Sequence, residues 1–329
     1  IATTVYPDVW SEGAETSGVY TFDRQLERQG SVTGLAPGER IYAARFMGDR
    51  GYLVTFERID PLFVVDLSDP ETPSVAGQLK IPGYSSYLHP FDANHVIGFG
   101  KDVKLAATPW SGGEGVPFEQ GLKLSLFDVS NIGDPVELHS TVLGARGSQS
   151  EALTNHHAFM FDPARELLAF PCTLRSGPSD PGAEPWWWGD FAFQGVVTFE
   201  VTLDGGFDES GRITHVEDDA AGLWDAPWYR TIRRALLAGN LLHTVSEGMI
   251  QAHDDDMELV DVLEMPWEAP GTVDPVLQTL RGVGPMADEL MGMGATADEV
   301  AGPGGVLHSV TTPAHALGGL IRDAVEARR

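Results

Sequence analysis

The sequence predicts an all-β protein: a β-propeller of four full four-stranded blades plus a partial one, followed by a mostly irregular or helical tail. Three observations predict it. A short apolar run ending in an acidic residue recurs five times along the chain. Each copy is preceded by a second apolar run and followed by a more polar one, and the runs are joined by segments of Gly, Asn, Asp and Pro. Turn-linked strand quartets repeating every 40 residues or more, roughly, are the pattern of radially stacked blades; a two-layer sandwich needs no repeated unit.

The elements follow in order. The first unit joins the apolar run 1–6 to Val19-Tyr20-Thr21-Phe22-Asp23 and the polar run 26–33. No strand precedes it, which makes it the partial blade. The second turns at Met47-Gly48-Asp49-Arg50-Gly51, runs through 52–56 to Phe63-Val64-Val65-Asp66-Leu67, and ends with 75–81. The third turns at Phe91-Asp92-Ala93-Asn94 and holds 95–99, Ser125-Leu126-Phe127-Asp128-Val129 and 136–143. The fourth turns at Phe161-Asp162-Pro163-Ala164 and holds 167–172, Val197-Thr198-Phe199-Glu200-Val201 and 212–216. The fifth turns at Leu237-Ala238-Gly239-Asn240 and holds 241–245, a degenerate Met249-Ile250-Gln251-Ala252-His253-Asp254, and 258–263. These turn residues supply positive φ or a preset φ, as tight hairpins demand. The recurring acidic residue reads as a strand-ending Asx turn. Two stretches exceed a minimal blade and read as long loops: 103–120, rich in Gly and Pro, and 175–190, which carries Trp186-Trp187-Trp188. The blades are assigned to 1–266 and the tail to 267–329, with helical stretches at 286–300 and 313–329. The segment 304–312 reads as a strand able to complete the partial blade.

Composition excludes several classes of function. The formal charge is −27 in 329 residues, so binding to nucleic acid or to an anionic membrane surface is disfavoured. No stretch approaches the roughly 20 apolar residues of a membrane-spanning helix. Lysine is confined to Lys80, Lys101, Lys104 and Lys123. An acidic, Lys-poor surface suits either a high-salt habitat or an ordinary extracellular protein. The one cysteine, Cys172, lies in an apolar run and reads as a buried hydrophobe. The chain begins at Ile1 without a basic, then apolar, leader; a signal peptide is expected upstream.

Longer motifs carry a resemblance. Gly38-Glu39-Arg40-Ile41-Tyr42, Arg45-Phe46-Met47-Gly48-Asp49-Arg50 and Asp60-Pro61-Leu62-Phe63-Val64-Val65-Asp66-Leu67-Ser68-Asp69-Pro70 belong to it. So do Ile81-Pro82-Gly83-Tyr84, Tyr87-Leu88-His89-Pro90, Gly98-Phe99-Gly100-Lys101-Asp102 and Gly121-Leu122-Lys123-Leu124-Ser125-Leu126-Phe127-Asp128-Val129-Ser130. Together they resemble the secreted archaeal and bacterial proteins with a C-terminal β-propeller domain, distantly related to WD40 repeats. The resemblance implies a secreted or cell-surface propeller with further blades upstream, which would be partners of this chain. It supplies no catalytic residues.

Candidate chemistry is sparse. His156 and His157 are expected on an inner strand, where alternation lets only one face the channel; each reads as a metal or acid–base candidate or as an ordinary strand histidine. Asp254-Asp255-Asp256 offers calcium-type oxygen ligands without the spacing of an EF-hand, and reads equally as a solvated turn. No cofactor is expected, calcium being the one ion the acidic triplet would suit. Trp186, Trp187 and Trp188, with Trp110 and Phe118, place large aromatics on loops, where they serve recognition or cover a face. The leading reading is a non-catalytic extracellular propeller presenting long loops to a protein or glycan partner. The alternatives are a secreted enzyme of metal-assisted hydrolase type at the channel and an acidic surface-layer component.

Overall fold

The structure, a computed structural model, describes residues 1–6, 14–56, 60–108, 115–177, 188–216 and 226–265. They form five antiparallel sheets of three or four strands, in the manner of propeller blades. The first holds β1 (Ala2–Val5), β2 (Thr16–Phe22) and β3 (Arg28–Leu35); the second holds β4 (Arg40–Met47), β5 (Arg50–Phe56), β6 (Asp60–Asp66) and β7 (Ser74–Ile81). The third holds β8 (Tyr84–Pro90), β9 (His95–Ala107), β10 (Gly115–Asp128) and β11 (Val136–Leu143). The fourth holds β12 (Met160–Asp162), β13 (Leu167–Arg175), β14 (Phe191–Thr202) and β15 (Gly206–Ile213), and the fifth β16 (Arg234–Ala238), β17 (Leu241–Val245), β18 (Met249–His253) and β19 (Leu259–Glu264). Every pairing is between chain neighbours, so each sheet is a simple meander.

Alternation along the strands explains the stacking. Tyr52, Val54, Leu62 and Val64 bury one face of the second sheet against Leu88, Val96, Phe127 and Val129 of the third. The residues between them, Leu53, Phe63 and Val65, bury the opposite face against Val19 of the first sheet. In the same way Leu168, Phe170, Cys172 and Leu174 face the third sheet, while Ala169 and Val196 face the fifth. A sheet covered on both faces has no solvated side, so its central strands read as continuous apolar runs rather than alternating ones.

Backbone contacts lock the stack at its outer strands. A Cβ on Gly77 of β7 would lie 2.4 Å from the Ile132 carbonyl oxygen in the next sheet, and one on Gly30 of β3 would lie 2.5 Å from that of Pro70. The strand-ending aspartates form Asx turns: Asp66 Oδ1 accepts from Ser68 N at 2.9 Å and Asp128 Oδ1 from Ser130 N at 2.8 Å. Bonds from those two serines, side chain and then backbone, hold both carboxyls below their ordinary range.

Three expectations change. His156 and His157 sit in a one-turn 3-10 segment, His156–Ala158, ahead of β12, because the Asn155 side chain accepts from His157 N and caps the turn. The stretch 103–120 is largely strand, since β9 and β10 pair beyond the sheet as far as Ala107 and Gly115. The outer strand of the fourth sheet begins at Gly206, ahead of the polar run expected at 212–216. The expected strand at 304–312 and helices at 286–300 and 313–329 lie outside the described residues.

Candidate functional site

The β9–β10 ribbon continues past the ends of β8 and β11, beyond a register shift between Glu119 and Leu122. There the chain presses onto the end of β11: a Cβ on Gly121 would lie 2.4 Å from the Leu143 carbonyl oxygen. The bulge re-aims the ribbon so that Phe118 meets the loop after β11. Arg146 in that loop stacks its guanidinium over Phe118 at 5.1 Å and over Trp188 at 5.4 Å. One cation thus bridges two aromatic rings from separate insertions, an attraction of about 1 kcal/mol per ring at exposed positions.

Trp188 is seated rather than dangling. Its ring rests on Gly147, where a Cβ would lie 2.4 Å from the indole and where φ is +92°. Both facts call for glycine. Gly189 N donates to Arg146 O at 3.0 Å, and Ser176 N to Asp190 O at 2.9 Å, which ties the Trp188 segment to its base. Arg175 Nη1 donates to Gly189 O at 3.2 Å. The ring nevertheless remains 53% exposed.

Charge is packed beneath. Lys101 is buried, and its amine donates to Ser148 O. Burial pushes its pKa down to about 8; Glu119 opposes that shift and Arg146 adds to it. Tyr84 OH holds Glu119 Oε1 at 2.5 Å. Lys104 is the cross-strand partner of Phe118 and is exposed.

The sequence candidates therefore separate. Phe118 and Trp188 are brought together; Trp110, Trp186 and Trp187 lie outside the described residues. His156 and His157 lie elsewhere, near the inner strands, exposed, with ring centroids 4.1 Å apart, and His156 stacks on Tyr87 at 6.2 Å. Tyr87 OH is 2.9 Å from His89 Nδ1, and burial, aided by Arg45, lowers the His89 pKa to about 4. Glu151 beside them is engaged by Arg234 at 2.9 Å and Arg233 at 3.8 Å. Asp254 Oδ1 accepts from Asp256 N at 3.1 Å and Glu258 N at 2.9 Å, while Asp255 pairs with Arg165 at 3.1 Å. Among the described residues, no three His, Cys, Asp or Glu side chains are grouped to hold a metal. Sequence reasoning missed Arg146, Lys101 and Lys104. Their signals were the scarcity of lysine, with two of four on one strand, and an arginine beside Gly147.

Comparison with known proteins adds lineage. The family described as a beta propeller domain matches residues 1–257. An uncharacterized protein of Archaeoglobus fulgidus is 42% identical over 171 residues, 52% of this chain and 24% of that protein. An uncharacterized protein of Methanocaldococcus jannaschii is 34% identical over 251 residues, 76% of this chain and 32% of that protein. The chain thus spans about a quarter to a third of the length of these relatives. Among solved structures, a europium-containing methanol dehydrogenase aligns at a TM-score of 0.47 and 11% identity, covering 82% of this chain and 52% of that one. Among the described residues, no helix is long and apolar enough to cross a membrane.

Proposed function

The chain belongs to the beta propeller domain family, and from that premise we propose that it is a non-catalytic binding propeller, acting outside the cell, whose ligand stacks on the Trp188 platform. The single observation that carries the reading is a half-exposed indole held rigidly on Gly147 beside Phe118 and Arg146. Covering a large aromatic ring with a partner removes apolar surface from water, and a rigid ring loses little entropy when it is covered. The blades beneath supply stiffness: the third and fourth sheets are each packed between two neighbours, so the ribbon and the loop after β11 keep fixed positions. The excess of acidic residues supports an extracellular setting, where it favours solubility.

The test is electrophoresis through native gels holding one neutral or one acidic polysaccharide each, beside a panel of surface proteins from the same cells coupled to resin. Retardation or capture by the wild type that Trp188→Ala abolishes, with an unchanged thermal midpoint, is the expected result. A Trp188→Ala protein that binds as the wild type does would reject the platform.

A further inference from the structure

The ribbon carries a second surface, independent of the platform. We infer that the free edge of β9 over 103–107 accepts an extended peptide of another protein as an added strand, with an apolar residue of that peptide opposite Leu105.

β9 pairs with β8 only as far as Lys101 and with β10 as far as Ala107, so its outer edge over 103–107 has no neighbouring strand. Which backbone groups face that edge follows from Pro117. It stands opposite Leu105 and has no N–H, so their pair is not one that exchanges hydrogen bonds. Alternation then gives the ribbon's bonds to the pairs Val116–Ala106 and Phe118–Lys104, and turns the N–H and C=O of Val103, Leu105 and Ala107 outward. The other edge agrees: Glu119, two residues from Pro117, offers its carbonyl outward, where Arg146 Nη1 donates to it at 3.2 Å. Among the described residues, no hydrogen bond from outside the ribbon reaches the backbone of Leu105 or Ala107. Both are exposed, Leu105 by 51%, whereas Val103 is buried and marks the inner end of the free length.

The two edges of the ribbon are managed differently. That of β10 is blunted by Pro117, which cannot donate, and by Arg146, which occupies the Glu119 carbonyl. That of β9 has neither device, and its one charged residue over this length, Lys104, lies on the ribbon face shared with Phe118. A row of alternating donors and acceptors is matched by one kind of chemistry, another backbone in β conformation, and side chains then set the choice. A residue paired with Leu105 falls on the ribbon face of Val103, Leu105 and Pro117, which is apolar, so an apolar residue suits that position. A second copy of this chain is a poor occupant. Five residues of strand span about 17 Å, too little to bury the roughly 1,000 Å² that a stable association of folded copies needs. Two molecules of formal charge −27 also repel. A short segment of another protein escapes that repulsion and brings no second rigid surface to be fitted.

The probe is a neutral pentapeptide of alternating threonine and valine, blocked at both ends and titrated into the full chain while backbone amides are followed by NMR. The Leu105 and Ala107 amide resonances are expected to shift and to exchange more slowly with solvent. N-methylation of the two valines, whose N–H groups face β9 in the added strand, should weaken binding at least about tenfold. N-methylation of the central threonine, whose N–H faces away, should leave the affinity within about twofold. Leu105→Pro removes the outward N–H without touching a ribbon hydrogen bond, so binding should fall at least about tenfold with an unchanged thermal midpoint. Trp188→Ala should bind the peptide as the wild type does. Equal loss from the two methylations, unaltered binding by Leu105→Pro, or no binding by the wild type overturns the inference. So does a wild-type dimer in sedimentation that Leu105→Pro separates, which would give the edge to a second copy. Peptide binding that Trp188→Ala removes overturns it as well, by moving the peptide to the platform.

Discussion

At the scale of single residues, Gly147 carries more than its size suggests. Its φ of +92° lies where a side chain is strained, and a Cβ would occupy space now filled by the indole of Trp188. Gly147→Ala is expected to lift the ring off its seat, red-shift tryptophan emission and abolish Trp188-dependent binding, at a cost of about 1–3 kcal/mol. An unchanged emission maximum would contradict that seating. His215 makes a different point. It is 3% exposed, with Nδ1 2.9 Å from Ser246 Oγ and Nε2 2.9 Å from Thr244 Oγ1. Burial, then Arg230 and His253, push its pKa from 6.5 to about 4. Between those values the unfolded chain binds a proton that the folded chain does not, so stability is complete above pH 6.5 and falls as the pH drops to 4. The loss attributable to His215 is about 3 kcal/mol, and His89 acts in the same direction. Asp66 and Asp128 titrate below that window, since their folded pKa values are lowered from 3.8. Urea midpoints measured from pH 7 to 4 should therefore decline, and His215→Asn should flatten the slope whatever it does to the plateau. A parallel slope in that variant would remove His215 as the cause.

At the scale of elements, legibility followed periodicity. The central strands were readable because burial on both faces writes an apolar run, and the turns because Gly48 and Gly239 take φ of +59° and +64°. The ribbon was not. Val103 through Gln120 mixes Lys, Thr, Gly and Pro, a composition that reads as loop, yet β9 and β10 simply continue their pairing there. Pairing that extends beyond a core carries no hydrophobic pattern, so sequence periodicity cannot mark it. The histidines at 156 and 157 failed for a related reason: a three-residue turn set by the Asn155 cap is shorter than any period. The platform was half legible, since aromatics on insertions stand out while the guanidinium that joins them does not. Gly77 tests the element scale directly. Its approach to the Ile132 carbonyl oxygen leaves no room for a methyl group, and backbone, unlike a side chain, cannot rotate away. Gly77→Ala is expected to destabilise by about 1–3 kcal/mol in urea, and Gly177→Ala, where a Cβ would meet nothing within 4 Å and φ is likewise not positive, supplies the reference without a clash. Gly77→Ala costing no more than Gly177→Ala would mean that the sheets do not meet there.

At the scale of the whole molecule, charge governs behaviour that no single contact reveals. A formal charge of −27 repels itself in the folded state more than in the expanded chain, so it destabilises the fold at low ionic strength. The opposing contribution comes from ion pairs such as Arg212–Glu209 at 2.6 Å and Arg234–Glu151 at 2.9 Å. These are partly exposed, and such pairs are worth about 0–1 kcal/mol each before salt weakens them. Screening therefore removes more repulsion than attraction. The Debye length falls from about 30 Å at 0.01 M salt to about 8 Å at 0.15 M, a change that spans the distance between sheets. The urea midpoint is expected to rise steeply with sodium chloride up to a few tenths molar, by roughly 1 kcal/mol or more, and then to level. Levelling matters, because exclusion of a cosolute from the protein surface would keep stabilising in proportion to its concentration. The same titration with sucrose supplies that linear reference. A midpoint indifferent to sodium chloride below about 0.3 M, within reach of the screening regime, would mean that the acidic residues are spaced too widely to repel. The acidic composition would then have no bearing on folding stability, and its purpose would have to lie in solubility alone.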